Sequence, residues 1–234
     1  AEVAFTFAVD AKAIPGVLPV PAATTSDDPR YVLKERLNLR VVPPVPLLEV
    51  HRAAAAPQID GDLSDPAWQG AASIPELRAL ATGKPVTEKT RVRLTYDDRG
   101  VYIAFECAES NLPGLVARHA QRGAPLYQDD DVEVFVLPPG QPAALQLAVN
   151  ALGTQSDNAD NDGPWQAAAR KTANGWGVEM LLPFAALKVA GPPAPGTAWG
   201  FQFGRQQKGK GEVSSWTTGA AFNAPDRFGE VLFR

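Results

Sequence analysis

Asp129, Asp130 and Asp131 follow one another and Glu133 comes two residues later, with Tyr127 just before the run. Paired carboxyls can act as acid and base on a glycosidic bond. That chemistry needs them across a sugar at roughly 5–9.5 Å, a spacing that neighbours in sequence do not set. A glycosidase pair is therefore not the expected reading. Glu133 sits inside the run Val132-Glu133-Val134-Phe135-Val136, where alternation sends the valines to one face and Glu133 with Phe135 to the other. A carboxylate there stands either on the wet face of a sheet or in a ligand groove. A second constellation is Asp157, Asp160 and Asp162, which alternate oxygen donors and end at Gly163. Such a loop could wrap a structural Ca²⁺, although no bidentate Glu follows; a solvated polar loop is the other reading. His51 and His119, the two histidines, sit in no triad motif. Haem is not expected: Met180, the single methionine, reads as core between Glu179 and Leu181, and there is no Cys-x-x-Cys-His. Cys107, the single cysteine, excludes an internal disulfide and reads as a small buried residue.

Strands must position these groups. Thr90 to Tyr96 and Val101 to Glu106 alternate around Asp97-Asp98-Arg99-Gly100, a hairpin pattern. Trp165 to Thr172 and Trp176 to Leu182 flank Ala173-Asn174-Gly175 in the same way. Leu145 to Asn150, Trp199 to Gln206, Glu212 to Thr217 and Phe228 to Phe233 supply further strands, and Gln155 to Gly163 reads as an acidic loop. Ile59 to Leu63 should turn at Gly61. Asp65-Pro66-Ala67-Trp68 should start a short helical turn, and Pro183 to Leu187 should form another. Trp68, Trp176 and Trp199 read as core; Trp165 and Trp216 read as surface or groove residues. Short strands at regular spacing, with almost no helical periodicity, predict an all-β chain folded as an antiparallel β-sandwich of the jelly-roll or immunoglobulin-like kind.

The 234 residues suit one β-domain with an extension. Pro15, Pro19, Pro21, Pro29, Pro43, Pro44 and Pro46 mark residues 1–47 as an extended arm, with 48–234 as the sandwich. Within the arm, Val3 to Val9 and Leu37 to Val41 alternate as strands, while Ile14 to Arg30 reads as extended and irregular. The net charge of -4 and pI near 5.3 leave no basic face for nucleic acid. No apolar run reaches the ~20 residues of a membrane helix. The opening Ala1-Glu2-Val3 fits a mature chain after signal-peptide removal, hence a periplasmic or secreted protein.

Ile59-Asp60-Gly61 leading to Trp68, Leu94-Thr95-Tyr96-Asp97 before Val101-Tyr102-Ile103, Asp130-Asp131-Val132-Glu133-Val134-Phe135, Gly175-Trp176-Gly177-Val178-Glu179 leading to Leu182-Pro183-Phe184, Gly200-Phe201, and Pro225-Asp226-Arg227-Phe228-Gly229 come in a recognisable order. From about Leu48 onward the chain resembles family 9 carbohydrate-binding modules and their DOMON-like relatives. The resemblance implies a non-catalytic sandwich that holds a sugar between two aromatic rings. Those rings would be Tyr127 and Phe222, where the family usually has Trp, with Glu133 bonding the hydroxyls. The resemblance also implies that a family Arg is replaced by Ala148. Asn150, Arg205 and Trp216 complete the candidate ligand set, and relatives carry structural calcium.

Two functions follow, neither of them enzymatic. In the first, the chain is an accessory or scaffolding subunit whose sandwich and arm dock onto a larger envelope assembly. Val3, Phe5, Phe7 and Val9 on one strand face, with Leu37, Leu39 and Val41 on another, need a covering surface, and sheet edges accept added strands. In the second, it is a glycan-binding module that uses Tyr127, Glu133 and Phe222. The arm tips the sequence reading toward docking.

Overall fold

The structure, a computed structural model, describes residues 16–25, 32–41, 45–159 and 163–234. The chain divides into two units, Ala1–Pro44 and Val45–Arg234. In the first, β1 (Gly16–Thr25) and β2 (Val32–Val41) pair antiparallel, Gly16 opposite Val41 and Thr25 opposite Val32. Of the stretch expected to be extended and irregular, Gly16–Thr25 is a regular strand. Pro19 and Pro21 share one parity, opposite Asn38 and Arg36. In a two-stranded ladder alternate residues turn their N–H outward, so prolines spaced by two can cost the ladder nothing. The strand expected at Leu37 to Val41 lies in β2, and Val3 to Val9 lies outside the described residues.

The second unit is a β-sandwich. Its strands are β3 (Leu47–Val50), β4 (Ala72–Ile74), β5 (Arg78–Ala79), β6 (Thr90–Tyr96), β7 (Gly100–Ala108), β8 (Asp131–Leu137), β9 (Leu145–Asn150), β10 (Gln155–Asp157), β11 (Gln166–Thr172), β12 (Gly175–Pro183), β13 (Ala198–Gln207), β14 (Glu212–Ser215) and β15 (Gly229–Phe233). One sheet runs β10-β9-β8-β13-β14-β5. Beside the first part of β13 it also holds β15, which pairs in parallel with β3. The other sheet runs β11-β12-β7-β6-β4. The start of the expected acidic loop is therefore strand β10, laid against β9. Pro66–Trp68 is a short 3₁₀ turn, as the sequence suggested. Pro183 to Leu187 makes only a turn, which Lys188 ends at φ 56°.

The valines of β8 explain the layering. Val132, Val134 and Val136 are fully buried, with Phe201 and Phe203 on β13. Across from them lie Val92, Leu94, Ile103, Phe105, Val178 and Met180. Phe105 and Phe203 meet between the sheets with ring centroids 6.1 Å apart. Each such side chain contributes about 1.5–3 kcal/mol. Cys107, Met180, Trp68, Trp176 and Trp199 are core, as expected. Trp165 is also buried, and its indole N–H donates to Asp157 Oδ2 at 2.8 Å. The turn before β12 requires glycine: at Gly175, φ is 155° and a Cβ would lie 1.9 Å from the Cys107 carbonyl oxygen.

Candidate ligand groove

Alternation along β8 puts Asp131, Glu133 and Phe135 on the face away from the core. The ladder register sets their neighbours. Glu133 lies between Ala148 and Gly204, Asp131 between Asn150 and Gln206, and Phe135 between Gln146 and Gln202. This face is covered rather than wet, and Glu133 is only 4% exposed. Phe135 packs against Phe222 and Phe228, each at 6.1 Å between centroids. Gly204 lets the Phe222 ring approach, since a Cβ there would sit 2.8 Å from it. On the other side, residues 123–127 wall a cavity of about 300 Å³ lined by Tyr127, Asp131, Glu133, Gln146, Ala148 and Ser156. Tyr127 stands 60% exposed at its edge.

The acidic run divides by role. Asp129 Oδ2 accepts from the His119 N–H at 3.0 Å and from Asn150 Nδ2 at 2.8 Å. Asp130 accepts from the Val116 and Lys208 N–H groups at 2.7 and 2.9 Å. Both therefore clamp loops. Glu133 is held by two side-chain amides: Gln146 Nε2 donates to Oε2 at 2.7 Å and Gln206 Nε2 to Oε1 at 3.0 Å. Burial pushes its carboxyl above the usual range, opposed by those amides and by Lys208. Asp131 is fully buried, and among the described residues neither of its oxygens has a hydrogen-bond partner. Burial, then the Glu133 charge, push its carboxyl well up.

A folded-state pKa above the unfolded value means stability that is present at low pH and lost as pH rises through the folded value. Asp131→Asn removes that loss. It is expected to raise the melting temperature at neutral pH by about 2–4 °C for each kcal/mol recovered, with the gain shrinking toward pH 4. A gain of the same size at both pH values, or none at neutral pH, would contradict the assignment.

Three expected ligand residues are occupied by contacts within the protein. Asn150 is buried and fully engaged. Its amide nitrogen donates to the His119 carbonyl and to Asp129, and its oxygen accepts from the Leu152 and Thr154 N–H groups. Arg205 points into the sandwich, because odd positions on β13 face the core. Its guanidinium donates to Thr90 Oγ1 at 3.2 Å and Glu109 Oε2 at 3.4 Å and stacks over Trp176. Trp216 is half-buried and packs on Phe203 at 5.6 Å, against Gly229. Tyr127 and Glu133 line one cavity, and Phe222 packs on Phe135 and Gly204 on the same outer face of the sheet. Gln146 and Gln206, which orient Glu133, have no sequence signature; only the register puts them in line with it. Asp157 receives the Trp165 and Ala159 N–H groups and lies 3.8 Å from Arg122. Asp160 and Asp162 lie outside the described residues. Among the described residues no three His, Cys, Asp or Glu side chains group to hold a metal.

A two-layer antiparallel sandwich with a polar cavity on one outer face and aromatic rings beside it has the build of a ligand-binding module. The profile of the family described as "Carbohydrate family 9 binding domain-like" matches residues 59–234, and the chain belongs to that family. Among solved structures it is similar to a protein from Bacteroides uniformis provisionally assigned to carbohydrate binding. There the TM-score is 0.66 and the identity 16%, over 81% of this chain and 99% of that one. It is also similar to a family 9 carbohydrate-binding module from Caldicellulosiruptor kristjanssonii. With cellotriose bound, that structure gives TM-score 0.61 and 20% identity, over 80% of this chain and 93% of that one. With glucose bound, it gives 0.60 and 21%, over 80% and 95%. No curated protein matches in sequence.

Proposed function

We propose that the sandwich is a non-catalytic glycan-binding module that takes a sugar in the groove between Tyr127 and Phe222, with Glu133 as its central hydrogen-bond acceptor. The observation that carries this reading is Glu133 itself, a buried carboxylate fixed by two amides in an open cavity flanked by an exposed aromatic ring. Sugars present apolar C–H faces to aromatic rings and hydroxyls to carboxylates and amides. The cavity is near the lower end of ordinary ligand sites, about 300–1,000 Å³. Family membership, and the cellotriose and glucose held by the similar module, support the same reading. Asp131 and Glu133 share one strand face instead of confronting each other across a substrate, which fits binding without cleavage. A periplasmic or secreted location fits a protein that meets polysaccharides. Among the described residues no helix is long and apolar enough to cross a membrane. The docking role that the N-terminal residues suggested draws no support from the comparisons, and the glycan reading takes its place ahead of it.

Calorimetry with glucose and cello-oligosaccharides tests it. Saturable binding is expected, weakened about tenfold or more in Glu133→Gln, which is about 1.4 kcal/mol. Tyr127→Ala should lose about 0.5–1.5 kcal/mol. Absence of saturable binding across a glycan array would sink the proposal, and release of reducing ends from the ligand would replace it with an enzyme.

A further inference from the structure

We propose that Asp131, beside Glu133, makes this groove selective for a sugar carrying a free ammonium group, an amino sugar in preference to a neutral one. The inference rests on the reading of the groove as a glycan site. It starts from an imbalance. Asp131 is fully buried, it lines the cavity, and among the described residues both its oxygens lack a partner. A buried carboxylate ordinarily carries two or more donors, and leaving one bare is costly. The residues opposite it offer no cation. Asn150 and Gln206 flank Asp131, and Ala148 and Gly204 flank Glu133. Glu133 is already satisfied by neutral amides.

The charged groups acting on Asp131 are Glu133, Asp129, Asp130 and Lys208; Tyr127 and Asp157 also line the cavity, Asp157 lying 3.8 Å from Arg122. Three of the first four are carboxylates. The single cation among them, Lys208, directs its Nζ to Gln206 Oε1 at 2.7 Å and makes no bond to either carboxylate of the pair. Arg205 follows on the same strand but faces the core. The groove floor is therefore acidic and short of donors. A ligand ammonium brings three N–H donors and a compensating charge, and charge-assisted bonds are about twice as strong as neutral ones. A sugar hydroxyl brings one donor and no charge.

The test compares disaccharides of the same β-1,4 linkage by calorimetry on the full chain: cellobiose, N,N′-diacetylchitobiose, and chitobiose with both amines free. The free amine is expected to bind roughly tenfold tighter than cellobiose, about 1.4 kcal/mol. Asp131→Asn should bring that ratio close to one. The preference should also fade as pH is lowered and Asp131 takes up a proton. Equal affinities for the three sugars, or a preference that survives in Asp131→Asn, overturns the inference while leaving the glycan reading standing. Calcium chloride alone is a further arm. Calcium binding that is lost in Asp131→Asn, without any amine preference, would make the site a metal site and overturn it too. No binding of any of the disaccharides removes both readings together.

Discussion

Arg205→Ala is expected to lower the unfolding free energy by about 3–5 kcal/mol, the usual result of removing one partner from a buried ion pair. The guanidinium is 1% exposed. It ties the end of β13 to the facing sheet through Thr90 and the carbonyl of Glu88, and to Glu109 beyond β7. Without it, Glu109 keeps Gln207 Nε2 at 2.8 Å but loses its only bonded cation among the described residues. Trp176 loses the cation over its ring, 5.9 Å from the centroid. Denaturant titration measures the loss. Sugar affinity measured on the folded fraction should stay close to that of the parent. A variant with parental stability and abolished sugar binding would return Arg205 to the ligand set and refute its placement between the sheets.

Glu179→Ala is expected to cost more than 3 kcal/mol. This carboxylate is fully buried on the outer side of the five-stranded sheet and accepts three donors. They are the N–H groups of Asp60 at 3.0 Å and Gly61 at 2.8 Å, and the Trp68 indole at 2.7 Å. Each orphaned donor costs about 1–3 kcal/mol. Alanine would also release residues 59–68 from the small apolar cluster of Trp68, Tyr102, Ala104 and Leu181. Burial raises the Glu179 carboxyl, with the three donors opposing the shift. Glutamine should rescue only part of the loss, because its amide NH₂ must face either the two backbone N–H donors or the Trp68 indole N–H. The midpoint of unfolding and the emission of Trp68 report the two effects. A change below about 1 kcal/mol in Glu179→Ala would show that water replaces the carboxylate there.

The sandwich was legible because its strands carry the period directly. Thr90–Tyr96 and the valines of β8 alternate strictly, and Ala173-Asn174 turn the chain from Thr172, the end of β11, to Gly175, the start of β12. The arm was less legible. Its prolines argue against strand, yet Pro19 and Pro21 share a parity that an edge position tolerates. At the groove, the order of motifs pointed to Glu133 and Tyr127, which line one cavity, and to Phe222, which packs on Phe135 of Glu133's strand. Sequence misassigned Asn150 and Arg205 because a side chain's face depends on its own strand's parity, and its employment depends on loops distant in sequence. Gln146 and Gln206 were invisible for the converse reason: they become neighbours of Glu133 only when β9 and β13 take their registers beside β8.

The parallel pair at the sheet margin bears on the order in which the chain can fold. β3 opens the sandwich and its ladder partner among the described residues is β15, whose residues Glu230 to Phe233 meet Leu47 to Val50. β15 is also the piece that joins β3 to β13. Residues 47–50 therefore have no ladder to enter until nearly all of the sandwich has been synthesised. Closing that span costs loop entropy before any ladder bond returns it, which is the topology of a slow folder. Until then the β13 edge that β15 will occupy stays open, and an open strand edge is where another chain can pair.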